Sequence, residues 1–406
     1  MKILFLSMDS IDNIGSPGIY TDLMRKFWKE GFDVYIVTPR ERRTGQHTHL
    51  LESDRLHILG VRTLNVQKAN VIEKGLGQVL IEFQFKKAIK HYFKKTVFDL
   101  ILYSTPPITI PRVVEYLKVC NPKAKTYLLL KDIFPQNAVD LGMLSTKGLK
   151  GFLYRYFRRK ERRIYALSDY IGCMSPANVH YVLKHNKEVE SQKIEVAPNS
   201  YDPIVSVEHT EKEGDAIREK YSLPEDKPIF IYGGNLGKPQ GIPFLIECLK
   251  AISNRDDCHF VVVGDGTEYS RLDSWYKSFH PGNVSVFRRL PQNDYDQLVR
   301  SCDVGLIFLD YRFTIPNYPS RLLSYLMERK PIIVSSDPVC DMGYLAEENG
   351  FGFRCFSNSV SEFTECVDRM LKSDIKGMGE AGYNYFLHNY TVDHTYNIIV
   401  SHLKFE

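Results

Sequence analysis

Residues 229–241, IFIYGGNLGKPQG, turn from a β-rich apolar run into a glycine-rich loop, and the same grammar recurs through Ile229–Pro331. FVVVGDG (260–266), VSVFRRLPQNDYDQL (284–298) and DVGLIFLDYRFTIPNYPSRLLSYLMERKPIIVSS (303–336) follow it. Near-continuous apolar runs punctuated by glycine and separated by helix-compatible segments describe strands of a parallel sheet buried on both faces. Strands are expected at Ile229–Tyr232, Phe260–Val263, Val284–Phe287, Val304–Phe308 and Ile332–Ser335.

Upstream, an equivalent series lies at Ile3–Ser7, Val34–Thr38, Leu100–Tyr103, Thr126–Leu130 and Tyr170–Met174. The expected class is therefore α/β, with two Rossmann-like domains whose parallel sheets face a central cleft. Boundaries follow from composition: an N-terminal domain over 1–200, a polar linker over 201–227, and a C-terminal domain over 228–385. A last helix over 386–406 is expected to pack back toward the N-terminal domain. A chain of 406 residues suits two cores better than one.

Composition narrows the function. Hydrophobic residues make up 43% of the chain and charged ones 25%, as in ordinary globular proteins. No apolar run reaches the roughly 18 residues of a membrane span. The opening KILFLS reads as a buried strand rather than a signal peptide, which leads to a cytoplasmic expectation. Eight scattered cysteines form no C-x-x-C pair and no metal spacing. The net charge of +4 conceals an asymmetry, with 32 basic against 19 acidic residues in 1–200 and the reverse bias after it.

Ligands of such sheets bind beyond the carboxyl ends of the strands. The loop after the first strand holds Gly15 and Gly18, which would let a backbone come close to a phosphate. Prolines place Ser104 and Thr105 at a strand end, and TYLLLKDIFPQN delivers Lys131 and Asp132 to another. Asp132 would orient an acceptor hydroxyl or cap the following turn. In the second half, Gly234, Asn235 and Lys238 suit a diphosphate, Lys238 offsetting leaving-group charge. Gly264 ends the next strand, and a helix start at Pro319 and Ser320, with Arg321 beside it, would add free N–H groups and charge. Asp294-Tyr295-Asp296 matches a metal-binding D-x-D as a string, but reads as acids in a helix's first turn.

These pieces in this order resemble the retaining nucleotide-sugar glycosyltransferases of family 4, which have the GT-B fold. The likeness spans essentially the whole chain. Within that family it is most similar to bacterial fucosamine-type transferases of O-antigen and capsule synthesis. It rests on STPP (104–107), KDIFPQN (131–137) with Leu141-Gly142, GNLGKPQG (234–241) and PSRLLSY (319–325). The resemblance implies a nucleotide diphosphate sugar, UDP-linked, on the C-terminal domain. Its base would lie against the Arg288–Pro291 loop with Arg289 and Leu290. Its diphosphate would lie between Gly234–Lys238 and the Ser320–Leu322 helix start. The acceptor, a lipid-linked saccharide, would meet Ser104, Thr105, Asp132 and Gln136. Asp132, Lys238 and Arg321 would carry catalysis. No metal cofactor and no nucleic acid are expected.

Three departures from that family stand out. Ser324 occupies the position of a ribose-binding glutamate, with Glu328 one turn further along as a substitute. Glu328 and Arg329 replace a small residue and glycine. Asn235 and Gln240 stand where the glycine loop usually carries Arg and Lys. The substituted glutamate favours one alternative, a catalytically silent sugar-nucleotide-binding partner of an active transferase. Finally, GFLYRYFRRKERR (151–163) and FQFKKAIKHYFKK (83–95) interleave aromatics with cations. They suit an anionic membrane surface, with Arg155, Arg158 and Arg159 as contacts and a peripheral position on the inner membrane face.

Overall fold

The structure, a computed structural model, describes residues 1–65, 71–203 and 211–403. It divides into two compact units, Met1–Asp202 with Tyr390–Glu406, and Pro203–Asn389.

The first unit is built on an eight-stranded sheet. Its strands are β1 (Lys2–Leu6), β2 (Asp33–Glu41), β3 (His49–Ser53), β4 (Leu56–Thr63), β5 (Leu100–Thr105), β6 (Lys125–Leu130), β7 (Tyr170–Cys173) and β8 (Ile194–Val196). Their order is β3-β4-β2-β1-β5-β6-β7-β8, and every pairing is parallel except the β3–β4 hairpin. Helices cover both faces. Along β1 and β2, Leu4, Leu6, Tyr35 and Val37 enter one core, while Ile3, Phe5, Val34 and Ile36 enter the other. Successive side chains of a strand point to opposite faces, so a strand covered twice must be apolar at nearly every position. That is why these strands are visible in the sequence as unbroken runs.

The second unit carries β9 (Ile229–Asn235), β10 (His259–Asp265), β11 (Val284–Phe287), β12 (Val304–Phe308), β13 (Ile332–Ser336) and β14 (Gly352–Phe356). All pairings are parallel, in the order β11-β10-β9-β12-β13-β14. Renumbered from β9, this is 3-2-1-4-5-6, the doubly wound nucleotide-binding order whose switch point lies between β9 and β12.

Four strands are additional to those expected. β3 and β4 carry charged residues on a short hairpin, β8 has three residues, and β14 opens on Gly352 and carries Arg354. The stretch read as a linker is only partly described, since 204–210 lie outside the described residues. Its helix Glu211–Lys220 packs on the helix Gln292–Ser301, with Arg218 donating to Ser301 O and pairing with Asp303 at 3.1 Å. It therefore belongs to the second unit.

Of the expected last helix, 404–406 lie outside the described residues. The chain leaves the second unit after the helix Ile375–Asn389, and Val392–Val400 forms a helix of the first unit. There Tyr396 packs edge-on against Phe27 at 4.9 Å, and Ile399 is fully buried. Ile399→Ala should cost the first unit about 2–4 kcal/mol by leaving a cavity. Urea unfolding followed by tyrosine and tryptophan fluorescence should show an earlier first transition.

Candidate functional site

A candidate site opens at the carboxyl ends of the second unit's central strands, as a cavity of about 610 Å³. That volume is typical of small-molecule sites. Gly233, Gly234 and Asn235 from β9, Gly264 and Asp265 from β10, and Arg289 and Leu290 after β11 line it. Tyr295, Pro319, Ser320, Arg321 and Ser324 complete the wall. Backbone constraints explain the glycines. Gly234 has φ +123, a conformation L side chains rarely adopt, and a Cβ on Gly264 would stand 2.0 Å from Gly234 O.

Tyr325 fixes the short helix Arg321–Met327 to this strand end. Its buried hydroxyl accepts from Gly233 N at 3.0 Å and donates to Ile231 O at 3.0 Å. The turn before it then aims Arg321 at the cavity. The Arg321 guanidinium lies 4.4 Å over the Tyr232 ring, and its Nη1 is buried without a hydrogen-bond partner. Burial opposes its charge, yet Tyr232, Tyr325 and Tyr295 beside it hold the guanidinium above its ordinary pKa. Among the described residues no carboxylate pairs with it. A half-buried cation without a counter-ion is costly, and an anion in the cavity would relieve that cost.

In the first unit, polar groups gather at the ends of β1, β5 and β6. Tyr20 hydrogen-bonds Ser104, and burial pushes its phenol up to about 12. Thr105 Oγ1 donates to Asp132 O at 3.4 Å. Asn137 Nδ2 donates to both carboxylate oxygens of Asp132, at 2.9 and 2.8 Å. Burial nevertheless raises Asp132 to about 6 and lowers Lys131 to about 7, Lys131 donating to Ala197 O.

With that geometry in hand, comparison with known proteins is direct. Residues 213–384 match the family described as Glycosyl transferases group 1. The match covers most of the second unit. Across the chain, similarity extends to "Probable glycosyltransferase WbjE" of Pseudomonas aeruginosa, 23% identical over 80% of this chain and 78% of that one. It also extends to WcaI of Escherichia coli, named as a colanic acid biosynthesis glycosyl transferase, 25% identical over 55% of this chain and 54% of that one. Among solved structures, sucrose-phosphate synthase from Thermosynechococcus elongatus superposes with a TM-score of 0.74 at 14% identity, covering 98% of this chain and 97% of that one. Anabaena HepE in complex with UDP gives 0.69 at 14% identity, covering 99% of each. The fold is GT-B, with two α/β units of mainly parallel sheet.

Several residues named from the sequence meet in the second unit's cavity: Gly234, Asn235, Gly264, Arg289, Leu290, Pro319, Ser320 and Arg321. Lys238 does not line it; it is exposed on the turn Lys238–Gln240. Leu322 is 1% exposed and belongs to the core. Asn235 Nδ2 and Gly237 N both donate to Gln240 Oε1, so the residues standing in for Arg and Lys brace the loop. Ser320 makes no side-chain cap, and the helix after it has only seven residues. Glu328 pairs with Arg300 at 3.0 Å and lies away from the cavity wall, so it does not substitute at Ser324. Asp294 pairs with Lys220, and Asp296 accepts from Gln292, in the first turns of their helix.

In the first unit the corrections have one cause: local partners. Gly15 N donates to Asn13 and Gly18 N to Asp22, which leaves neither N–H for a phosphate. Gln136 donates to Asp140 and faces a separate 120 Å³ pocket with Arg158 and Glu161. Arg158 pairs with Glu161 and donates to His185 O, so it is not a free surface cation. Arg155 and Arg159 are exposed. Sequence reasoning missed Tyr295 and Tyr325 as site-builders. Only the Gly-Gly pair and the Pro-Ser-Arg run gave a local signal.

The Asp132 shift has a definite sign. A carboxyl whose folded pKa is raised makes the folded state lose stability as pH climbs from the unfolded value near 4 through about 6. Asp132→Asn removes that loss. Its melting temperature relative to the parent should rise across pH 4–6 and level off above pH 7; a difference independent of pH would refute the assignment.

Proposed function

We propose that this protein is a retaining glycosyltransferase. It moves a sugar, an acetamido sugar, from a UDP-linked donor to a lipid-linked oligosaccharide in surface polysaccharide synthesis. The observation that carries the reading is the unpaired Arg321 guanidinium in the cavity beside Gly233 and Gly234. A diphosphate supplies the missing anion, and the glycine backbone lets it approach. The name of WbjE supports sugar transfer, that of WcaI a place in polysaccharide assembly, and HepE, similar in fold, was crystallised with UDP.

In this reading the glycosidic C–O bond to the diphosphate breaks as charge builds on the leaving oxygen, and Arg321 stabilises that charge. The acceptor hydroxyl attacks from the same face, and its proton passes to the departing phosphate. Retention follows without a covalent enzyme intermediate, and no divalent cation is assigned a role. Asp132 orients the acceptor hydroxyl, with Ser104 and Thr105 shaping that strand end.

The silent-partner reading draws on Ser324, which brings no carboxylate to the cavity wall. Calorimetry with nucleotide sugars, paired with a transfer assay on lipid-linked acceptors, separates the two; binding without turnover selects the silent partner. For the leading reading, Arg321→Ala should lower turnover by about tenfold or more. Lys238→Ala should change it less than about threefold, since an exposed lysine outside the cavity makes only a weak screened contact. Full activity in Arg321→Ala sinks the phosphate assignment.

The membrane proposal narrows to one helix face. On the helix Gly148–Leu167, Phe152 is 67% and Leu153 46% exposed, with Arg155 stacked 4.5 Å over Phe152 and Arg159 open nearby. In the other basic stretch Phe85 and Phe93 are core residues, and Phe83 and Tyr92 are the exposed rings. Flotation with anionic liposomes at low salt should capture the protein, and Arg155→Glu with Arg159→Glu should abolish capture. Equal flotation of parent and variant rejects the surface.

A further inference from the structure

Asp265 is the one carboxylate among the residues lining the second unit's cavity. It ends β10, directly beside Asn235 of the glycine loop in the register Gly264↔Gly234 and Asp265↔Asn235. β9 and β10 are the first and second strands of a 3-2-1-4-5-6 sheet. In sheets of this order that bind dinucleotides, an acid beyond the first glycine turn takes the ribose hydroxyls.

The carboxylate is held from one side only. Oδ1 accepts from Gly266 N at 2.9 Å and from Arg288 Nε at 3.3 Å, and Arg288 is itself stacked over Tyr269. Oδ2 accepts nothing from the described residues. Although burial pushes its pKa up, the Gly266 N–H and Arg288 hold the group below the ordinary value, so it is ionised at neutral pH. Ser324 contributes only a neutral hydroxyl to the same wall, and Glu328 is committed to Arg300.

We propose that Asp265 is the specificity residue that reads the ribose diol of the bound nucleotide, through the carboxylate oxygen that no described residue occupies. The inference rests on the nucleotide-diphosphate reading of this site and assigns to β10 the role that Ser324 leaves vacant. A hydrogen bond to an ionised acceptor is about twice as strong as a neutral one, so loss of the 2′-hydroxyl should weaken binding by about tenfold or more.

Calorimetric titration of the full chain with UDP, GDP and ADP, each against its 2′-deoxy form, tests this. The expected result is tenfold or greater preference for the ribose form of whichever nucleotide binds. In Asp265→Asn, whose amide oxygen still serves Gly266 N, that preference should fall below about threefold while the melting temperature is kept. Equal affinities in the parent overturn the proposal, as does a preference that survives Asp265→Asn. A preference that survives there and vanishes in Ser324→Ala moves the role to Ser324. Absence of binding by all six nucleotides rejects the nucleotide reading beneath it, a failure distinct from equal binding.

Discussion

The second unit's cavity is organised around a cation that the fold half-buries and does not neutralise. Arg321 lies over one tyrosine and beside two more, with no carboxylate within the described residues to pair with it. Phenol rings soften the cost of that burial through their π faces, by an amount well short of a full counter-ion. Much else at the strand end serves this arrangement. Tyr325 ties the helix to β9 through Gly233 N and Ile231 O, and a Cβ on Gly234 would press on the guanidinium at 3.2 Å. A Cβ on Gly233 would collide with the Tyr295 hydroxyl. The glycines thus keep phenol, guanidinium and strand end in one compact wall as well as allowing a ligand close.

What was legible in the sequence follows from the same physics. Strands covered on both faces must be apolar throughout, so β1, β2, β9, β10, β12 and β13 announced themselves. The β3–β4 hairpin closes the edge of its sheet and carries charge; β14, another edge, opens on glycine. Edge strands are half-solvated and lose the pattern that makes central ones visible. The residues lining the cavity were readable in part because glycine and Pro-Ser-Arg are local signals. The tyrosines around Arg321 were not, because Tyr232, Tyr295 and Tyr325 come from three separate elements and each looks like an ordinary core aromatic.

The misreadings share a different cause. Gly15 and Gly18 have the composition of a phosphate loop, but Asn13 and Asp22 take their N–H groups first. Asp22 also accepts from Asp202 N and pairs with Arg25, so it is fixed where an anion would have to displace it. Arg158 looked like one of several interchangeable surface cations, yet a buried glutamate one turn away claims it. In each case a short-range polar partner consumed the group that composition had offered to a ligand. A motif gives the donors; only the structure gives their occupancy.

Occupancy also divides the chemistry between the two units. At the strand ends of the first, burial raises the Asp132 carboxyl to about 6, near hydroxyls and a lysine whose charge burial also disfavours. Lys131 has only the Ala197 carbonyl as its partner and burial weakens its charge, so this surface offers an anion less than a permanent guanidinium does. In the second unit the balance is reversed, with Arg321 unpaired, Arg289 open and a single carboxylate tied to Arg288. An anion is therefore favoured at the strand ends of the second unit, where a buried guanidinium nitrogen lacks a partner, over those of the first.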